Sequence, residues 1–195
     1  MQLASLIVDK NRDVIKFGRV RLAKTFYLCD MVTKQDLKTT YQRKAAGPLD
    51  HICIYNKNVG IESLAEKSKC FSVSRSPKGN SQQVSYHPEQ SLEFIAELAK
   101  DGFADDYQKI ENLIELLKPL NTAQCEIIAT LYACWNDMLI DGEQPSDQNI
   151  VNDFLYNWHE SKTRYSEQRL LKALTWMKDN QLVPNGDGNH TTIIH

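Results

Sequence analysis

The residues of this chain that could do acid-base or metal chemistry are few and scattered. Five histidines stand singly at His51, His87, His159, His190 and His195. In Trp158-His159-Glu160 an imidazole adjoins a carboxylate, the ingredients of a general acid-base pair. Adjacent residues on a helix point about 100° apart, so these two side chains diverge and are expected to do no catalysis. The acidic run Asp137, Asp141, Glu143 and Asp147 offers oxygen ligands to a cation. A calcium loop, however, needs ligands at alternating positions closed by a glutamate. The run therefore reads as a solvated corner between two helices. Cys29, Cys53, Cys70, Cys125 and Cys134 are odd in number and contain no CxxC spacing, against both a structural zinc and a disulfide framework. Cys29, Cys125 and Cys134 lie among apolar neighbours and read as small buried hydrophobes.

No phosphate loop, GxGxxG, GxSxG or HExxH occurs, so nucleotide hydrolysis, dinucleotide binding and zinc proteolysis lack their mechanical parts. The expectation is a protein that is not an enzyme and holds no cofactor or metal. Charge is the other candidate chemistry. Residues 1–60 hold eleven Lys and Arg against five acids, and residues 61–195 hold twelve against twenty. The N-terminal set Lys16, Arg19, Arg21, Lys24, Arg43 and Lys44 forms a candidate patch for nucleic acid or an acidic partner. A plainer reading is that the two halves neutralise one another internally. A second basic set, Lys162, Arg164, Arg169, Lys172 and Lys178, surrounds the last helix, where Glu160, Glu167 and Asp179 dilute it. Phosphate contacts there would be salt-sensitive and weakly specific, and a solvated face or protein interface is the preferred reading.

These residues need elements to position them. Apolar spacing from Asp13 to Val32 is imperfectly helical, with Gly18 suggesting a break or a cap. Gly47-Pro48 is expected to turn the chain, with a helix restarting over Leu49–Tyr55 and another over Ile61–Lys69. Phe71, Val73 and Arg75 alternate with serines, Ser76-Pro77-Lys78-Gly79-Asn80 supplies turn residues, and Val84 and Tyr86 lead out, which predicts a β-hairpin over 71–87. From Pro88 the helical period returns in two helices separated at Asp101-Gly102 and stopped by Pro119. Asn121-Thr122-Ala123-Gln124 is a candidate cap for a helix whose stripe is Ile127, Ile128, Leu131, Tyr132, Trp135, Met138 and Leu139. Asp141-Gly142 ends it. A second helix follows Pro145-Ser146-Asp147, and a third, capped by Ser166, turns Leu170, Leu171, Leu174 and Met177 inward until Pro184 prevents its return. The tail after Gly188 is expected to fray.

A chain of 195 residues with 42% apolar and 25% charged residues has an ordinary globular composition. Its apolar runs fall far short of the roughly 20 residues that span a bilayer, and its first ten residues lack a secretory pattern. A cytoplasmic protein with no membrane partner is expected. The fold class is mainly α with one small β-hairpin: an N-terminal helical part over 1–119, then a winged-helix-like helical unit over 120–195.

Two resemblances narrow the expectation. FGRVRLAKTFYLCD followed by YQRKAAGPLD resembles the N-terminal signature of Panacea or SocA-like antitoxin domains. AGPLD, LLKPLNTAQCEIIATLYACWNDMLIDG, NWHESK and LKALTWMKDNQLVPNGDG resemble a C-terminal extension of some type I restriction-modification specificity subunits. Similar segments occur in small free-standing proteins of prokaryotic defence loci, and the length is similar to the small middle component of Lamassu-like complexes. These resemblances imply a non-catalytic accessory subunit of an anti-phage or restriction complex. Its partner would be a larger DNA-processing subunit, an SMC-like ATPase, nuclease or restriction-modification protein, with or without contact to DNA. The alternative they imply is a Panacea-type antitoxin or DNA-binding regulator.

Overall fold

Asn121 and Gln124 close a complete capping box: Asn121 accepts from the Gln124 amide at 3.0 Å, and the Gln124 side chain accepts from the Asn121 amide at 2.9 Å. Two otherwise orphaned N–H groups are satisfied in this way, and they start a 19-residue helix. In the computed structural model, which describes residues 1–34, 37, 39–78 and 81–193, the described chain is mainly helical with two small antiparallel strand pairs. It divides into two compact units, one of residues 1–29 and 51–119, the other of residues 30–50 and 120–195. The boundary is thus discontinuous: Asp30–Asp50 belongs with the C-terminal unit, not with a 1–119 part.

The first unit begins with α1 (Gln2–Lys10), an element that the sequence patterns above do not mark. Leu3, Leu6 and Ile7 share one face and are buried, and α1 packs on α5 (Leu92–Phe103) and α6 (Tyr107–Leu117). The helix α2 (Arg19–Thr33) starts directly after Gly18. A Cβ at Gly18 would stand 2.4 Å from the Val84 carbonyl oxygen, so glycine lets the chain pass close to a strand there. That strand belongs to the expected hairpin, whose two arms in chain order are Phe71–Lys78 and Ser81–Pro88, paired from Phe71↔Pro88 to Lys78↔Ser81. Its expected turn residues Gly79 and Asn80 lie outside the described residues. Phe71, Val84 and Tyr86 are buried, and short helices α3 (His51–Tyr55) and α4 (Ile61–Lys67) complete the unit. The expected break at Asp101-Gly102 is displaced. Helix α5 continues to Phe103, whose buried ring lies one turn beyond buried Ala99, and the chain breaks in a 3-10 turn over Ala104–Asp106.

The second unit holds the unexpected strand pair, β1 (Gln42–Lys44) and β2 (Gly47–Leu49). In chain order the hairpin arms are then β3 (Phe71–Lys78) and β4 (Ser81–Pro88). Lys44 pairs with Gly47, so Ala45-Ala46 makes the turn, while Gly47-Pro48 opens β2 instead of turning the chain. Gly47 has φ +94°, which a residue without Cβ adopts at no steric cost. Helix α7 (Thr122–Ile140) packs against β2 and α9 (Glu167–Asp179). Between them α8 (Asp147–Asn152) starts from a second capping box, Ser146 with Asn149. It runs into a π-helical turn over Asp153–Asn157 and then a 3-10 turn over Glu160–Arg164. Leu170, Leu174 and Met177 are the buried face of α9.

No hairpin follows α9 among the described residues. The tail expected to fray is instead tied to β1: the Thr192 amide donates to the Tyr41 carbonyl at 2.8 Å and the Arg43 amide to the Thr192 carbonyl at 3.0 Å. Ile194 and His195 lie outside the described residues. No described helix is long and apolar enough to cross a membrane.

Candidate functional site

Four of the ten basic residues that the sequence offered as a surface, Arg21, Lys24, Arg43 and Lys162, have side chains inside the protein. Arg43 projects from β1, and its side chain is 8% exposed. It donates to Asp137 at 2.9 Å, Asp153 at 3.1 Å and the Thr191 hydroxyl at 3.1 Å. Its guanidinium also lies 4.8 Å from the centre of the Trp158 ring, while the Trp158 indole N–H donates to the Lys44 carbonyl at 2.9 Å. Burial works against the Arg43 charge, but the bonds to Asp153 and Asp137 more than offset it and raise its pKa. Thr191 closes the ring by donating its amide and hydroxyl to Asp137. Asp137 is therefore buried, not part of a solvated acidic corner, because α7 turns it toward β1 and the tail. Asp147 meets Lys178 at 2.6 Å.

Glu126 of α7 collects a second set. It accepts from the Lys162 ammonium at 2.9 Å, Arg164 at 2.7 Å and the Tyr165 hydroxyl at 3.1 Å. Lys162 is fully buried, and its ammonium also lies over the Phe154 ring. Desolvation lowers its pKa, and Glu126 opposes that shift. In the first unit Glu62 does the same work. It takes a bidentate pair from Arg19 at 2.7 and 2.5 Å, a bond from Arg75 at 3.1 Å and one from the Tyr86 hydroxyl at 3.0 Å. Burial, then the Glu62 carboxylate, pushes the Tyr86 hydroxyl far above its ordinary pKa.

The ten candidate residues thus separate. Lys24 is buried, and so is Arg21, which donates to the Lys118 carbonyl at 2.8 Å. Arg19, Arg43, Lys162 and Arg164 are consumed in ion pairs, and Lys44 is half-buried. Of the N-terminal six, Lys16, Arg19, Arg21 and Lys24 lie in the first unit and Arg43 and Lys44 in the second. Lys16 is exposed. Arg169 and Lys172 are exposed on α9, and among the described residues neither has an acidic partner; Arg169 only grazes the Tyr165 ring, at 5.3 Å.

What Arg169 and Lys172 frame is a groove between α7 and α9, with a volume of about 330 Å³. Its walls are two helical stripes. Arg169, Lys172, Ala173 and Trp176 recur at i, i+3, i+4 and i+7 on α9, facing Asn121, Gln124, Ile127 and Ile128 at the start of α7, with Leu120 at one end. This stripe stands one residue out of step with Leu170, Leu174 and Met177, roughly 100° round the helix from the core face. No Asp or Glu lines the groove. Sequence reasoning had Arg169 and Lys172 but not Ala173 and Trp176; the second stripe on α9 was the signal that would have found them.

The reactive groups outside the groove are quiet. The His159 ring accepts from the Ser161 amide at 3.1 Å and so caps the 3-10 turn, away from any pairing with Glu160. Cys134 is fully buried, and burial holds its thiol neutral with a pKa well above the usual one. Among the described residues no three His, Cys, Asp or Glu stand together as metal ligands. Compared with known proteins, the chain matches no family model, no curated protein and no solved structure.

Proposed function

We propose that this chain is a non-catalytic accessory subunit that docks onto a larger DNA-processing protein of a prokaryotic anti-phage or restriction complex. The observation that carries the docking role is the pair of exposed cations on α9, Arg169 and Lys172, which no acid meets among the described residues and which frame a groove lined by Ile127, Ile128, Ala173 and Trp176. Arg43 and Glu126 are spent on ion pairs within the second unit, and Glu62 on ion pairs within the first. The open surface is built to receive a partner. In this reading α7, α8 and α9 act as a winged-helix-like docking module in the cytoplasm, and direct contact with DNA is secondary. The assignment to a defence complex comes from the motif resemblances, and the docking role from the groove.

The test is co-expression of the tagged chain with the genes that flank its own. A stoichiometric complex with a larger ATPase, nuclease or modification subunit, together with no nuclease or ATPase activity of the isolated chain, is the expected result. A chain that stays alone with every neighbour, or that cleaves DNA or nucleotide by itself, contradicts the proposal.

A further inference from the structure

The groove between α7 and α9 says more than that a partner docks, because its lining constrains what the partner brings. Its floor is apolar: Ile127 and Ile128 are nearly inaccessible, and Ala173 and Trp176 are half-buried beside them. Its rim is cationic: Arg169 and Lys172 have no acid among the described residues, whereas the other three basic residues around α9 do, with Lys162 and Arg164 on Glu126 and Lys178 on Asp147. An uncompensated pair of cations above an apolar floor favours an occupant with an apolar side chain to bury and a carboxylate beside it.

Magnitude decides against nucleic acid as that occupant. Two phosphate contacts would give a salt slope of about −2, where stable non-specific DNA binding draws on roughly six to ten. A phosphate backbone would also leave the half-buried Ala173 and Trp176 facing water or a polar chain. A peptide segment uses both features, and Trp and Arg are the residue types that dominate binding energy in protein interfaces.

We propose that the α7/α9 groove takes a short segment of the partner protein, apolar at its centre and bearing Asp or Glu where it passes Arg169 and Lys172. This rests on the docking reading above and specifies its chemistry. Ala173 sits between the two cations and Trp176 on the stripe, so a large side chain at 173 fills the groove while both charges stay in place.

The experiment selects a displayed library of random dodecapeptides on the immobilised chain, and then measures the enriched peptides against three proteins: the natural sequence, Ala173→Trp, and Arg169→Glu with Lys172→Glu. The expected result is enrichment of peptides that combine a large apolar residue with Asp or Glu, with binding that weakens roughly tenfold or more in both variants. Circular dichroism confirms that the variants are folded, and the exposed charge reversal keeps the test decisive if Ala173→Trp fails to fold. Enrichment of basic peptides, no enrichment, or peptides that bind all three proteins equally overturns the proposal. So does duplex DNA binding that the charge reversal abolishes and Ala173→Trp leaves intact, or a dimer of the chain that Ala173→Trp dissolves. A complex with a larger subunit that survives both variants overturns the groove assignment while leaving the accessory role standing, so the two failures are distinct.

Discussion

Arg43→Met takes the charge out of a heavily bonded position in the second unit and keeps much of the side-chain length. The guanidinium makes two bonds to carboxylates, one to the Thr191 hydroxyl and a ring contact with Trp158. Each bond to a charged group is worth about 1.5–3 kcal/mol and the neutral one about 1, but coupled groups do not add. The better guide is the loss on breaking a buried ion pair, about 3–5 kcal/mol, because Asp153 would lose its ion-pair partner and Asp137 would keep only His190, 3.9 Å away. For a unit of this size that corresponds to a fall in melting temperature of roughly 15–30 °C. Urea unfolding followed by circular dichroism measures it, with an unchanged m-value as the check that the same surface unfolds. A loss below about 1 kcal/mol would mean that Arg43 is solvated and free to meet a phosphate, as a surface patch requires, and would refute the buried network.

Other consequences follow from single sites. Gly18→Ala drives a methyl into the Val84 carbonyl, 2.4 Å away, and should lower stability by about 1–3 kcal/mol in thermal melts, whereas an unaffected melt denies the close approach. Lys162 has a pKa lowered by burial, so the folded chain binds its proton less tightly than the unfolded chain does. Stability relative to Lys162→Met should therefore rise as pH climbs toward the ordinary lysine value near 10.5, and parallel curves would contradict it. His190 behaves oppositely. Burial opposes its charge, but the bond to the Thr191 carbonyl and the nearby Asp137 and Asp141 raise its pKa above 6.5. Its contribution is present below 6.5 and lost as pH rises through the higher folded value, so His190→Gln should flatten the pH dependence of tail protection in hydrogen exchange.

The parts of the fold that the sequence announced are those specified locally. Asn121 with Gln124 and Ser146 with Asn149 are caps readable within four residues, and the alternation around Phe71, Val84 and Tyr86 fixes a hairpin by its own period. What stayed hidden depends on distant partners. Arg43 and Asp137 lie 94 positions apart, and Lys162 and Glu126 lie 36 apart. Nothing local distinguishes a lysine bound for the interior from one on a solvated face, and so Lys24 and Lys162 read as surface charge. The β1–β2 pair escaped for a related reason: three-residue strands are too short to carry a period, and Gly47-Pro48 imitates a turn it does not make. The candidate groove was half legible, since Arg169 and Lys172 stood out by charge, while Ala173 and Trp176 acquire meaning only against Ile127 and Ile128.

The docking account turns on whether the α7/α9 groove holds the partner. Its most direct measurement is the amount of the larger subunit retained per mole of tagged chain after co-expression, compared between the natural sequence and the Arg169→Glu, Lys172→Glu double variant. The account predicts a stoichiometric complex with the natural sequence and a loss of roughly tenfold or more in affinity with the reversal, in a variant that melts normally. Equal retention by both proteins would contradict it.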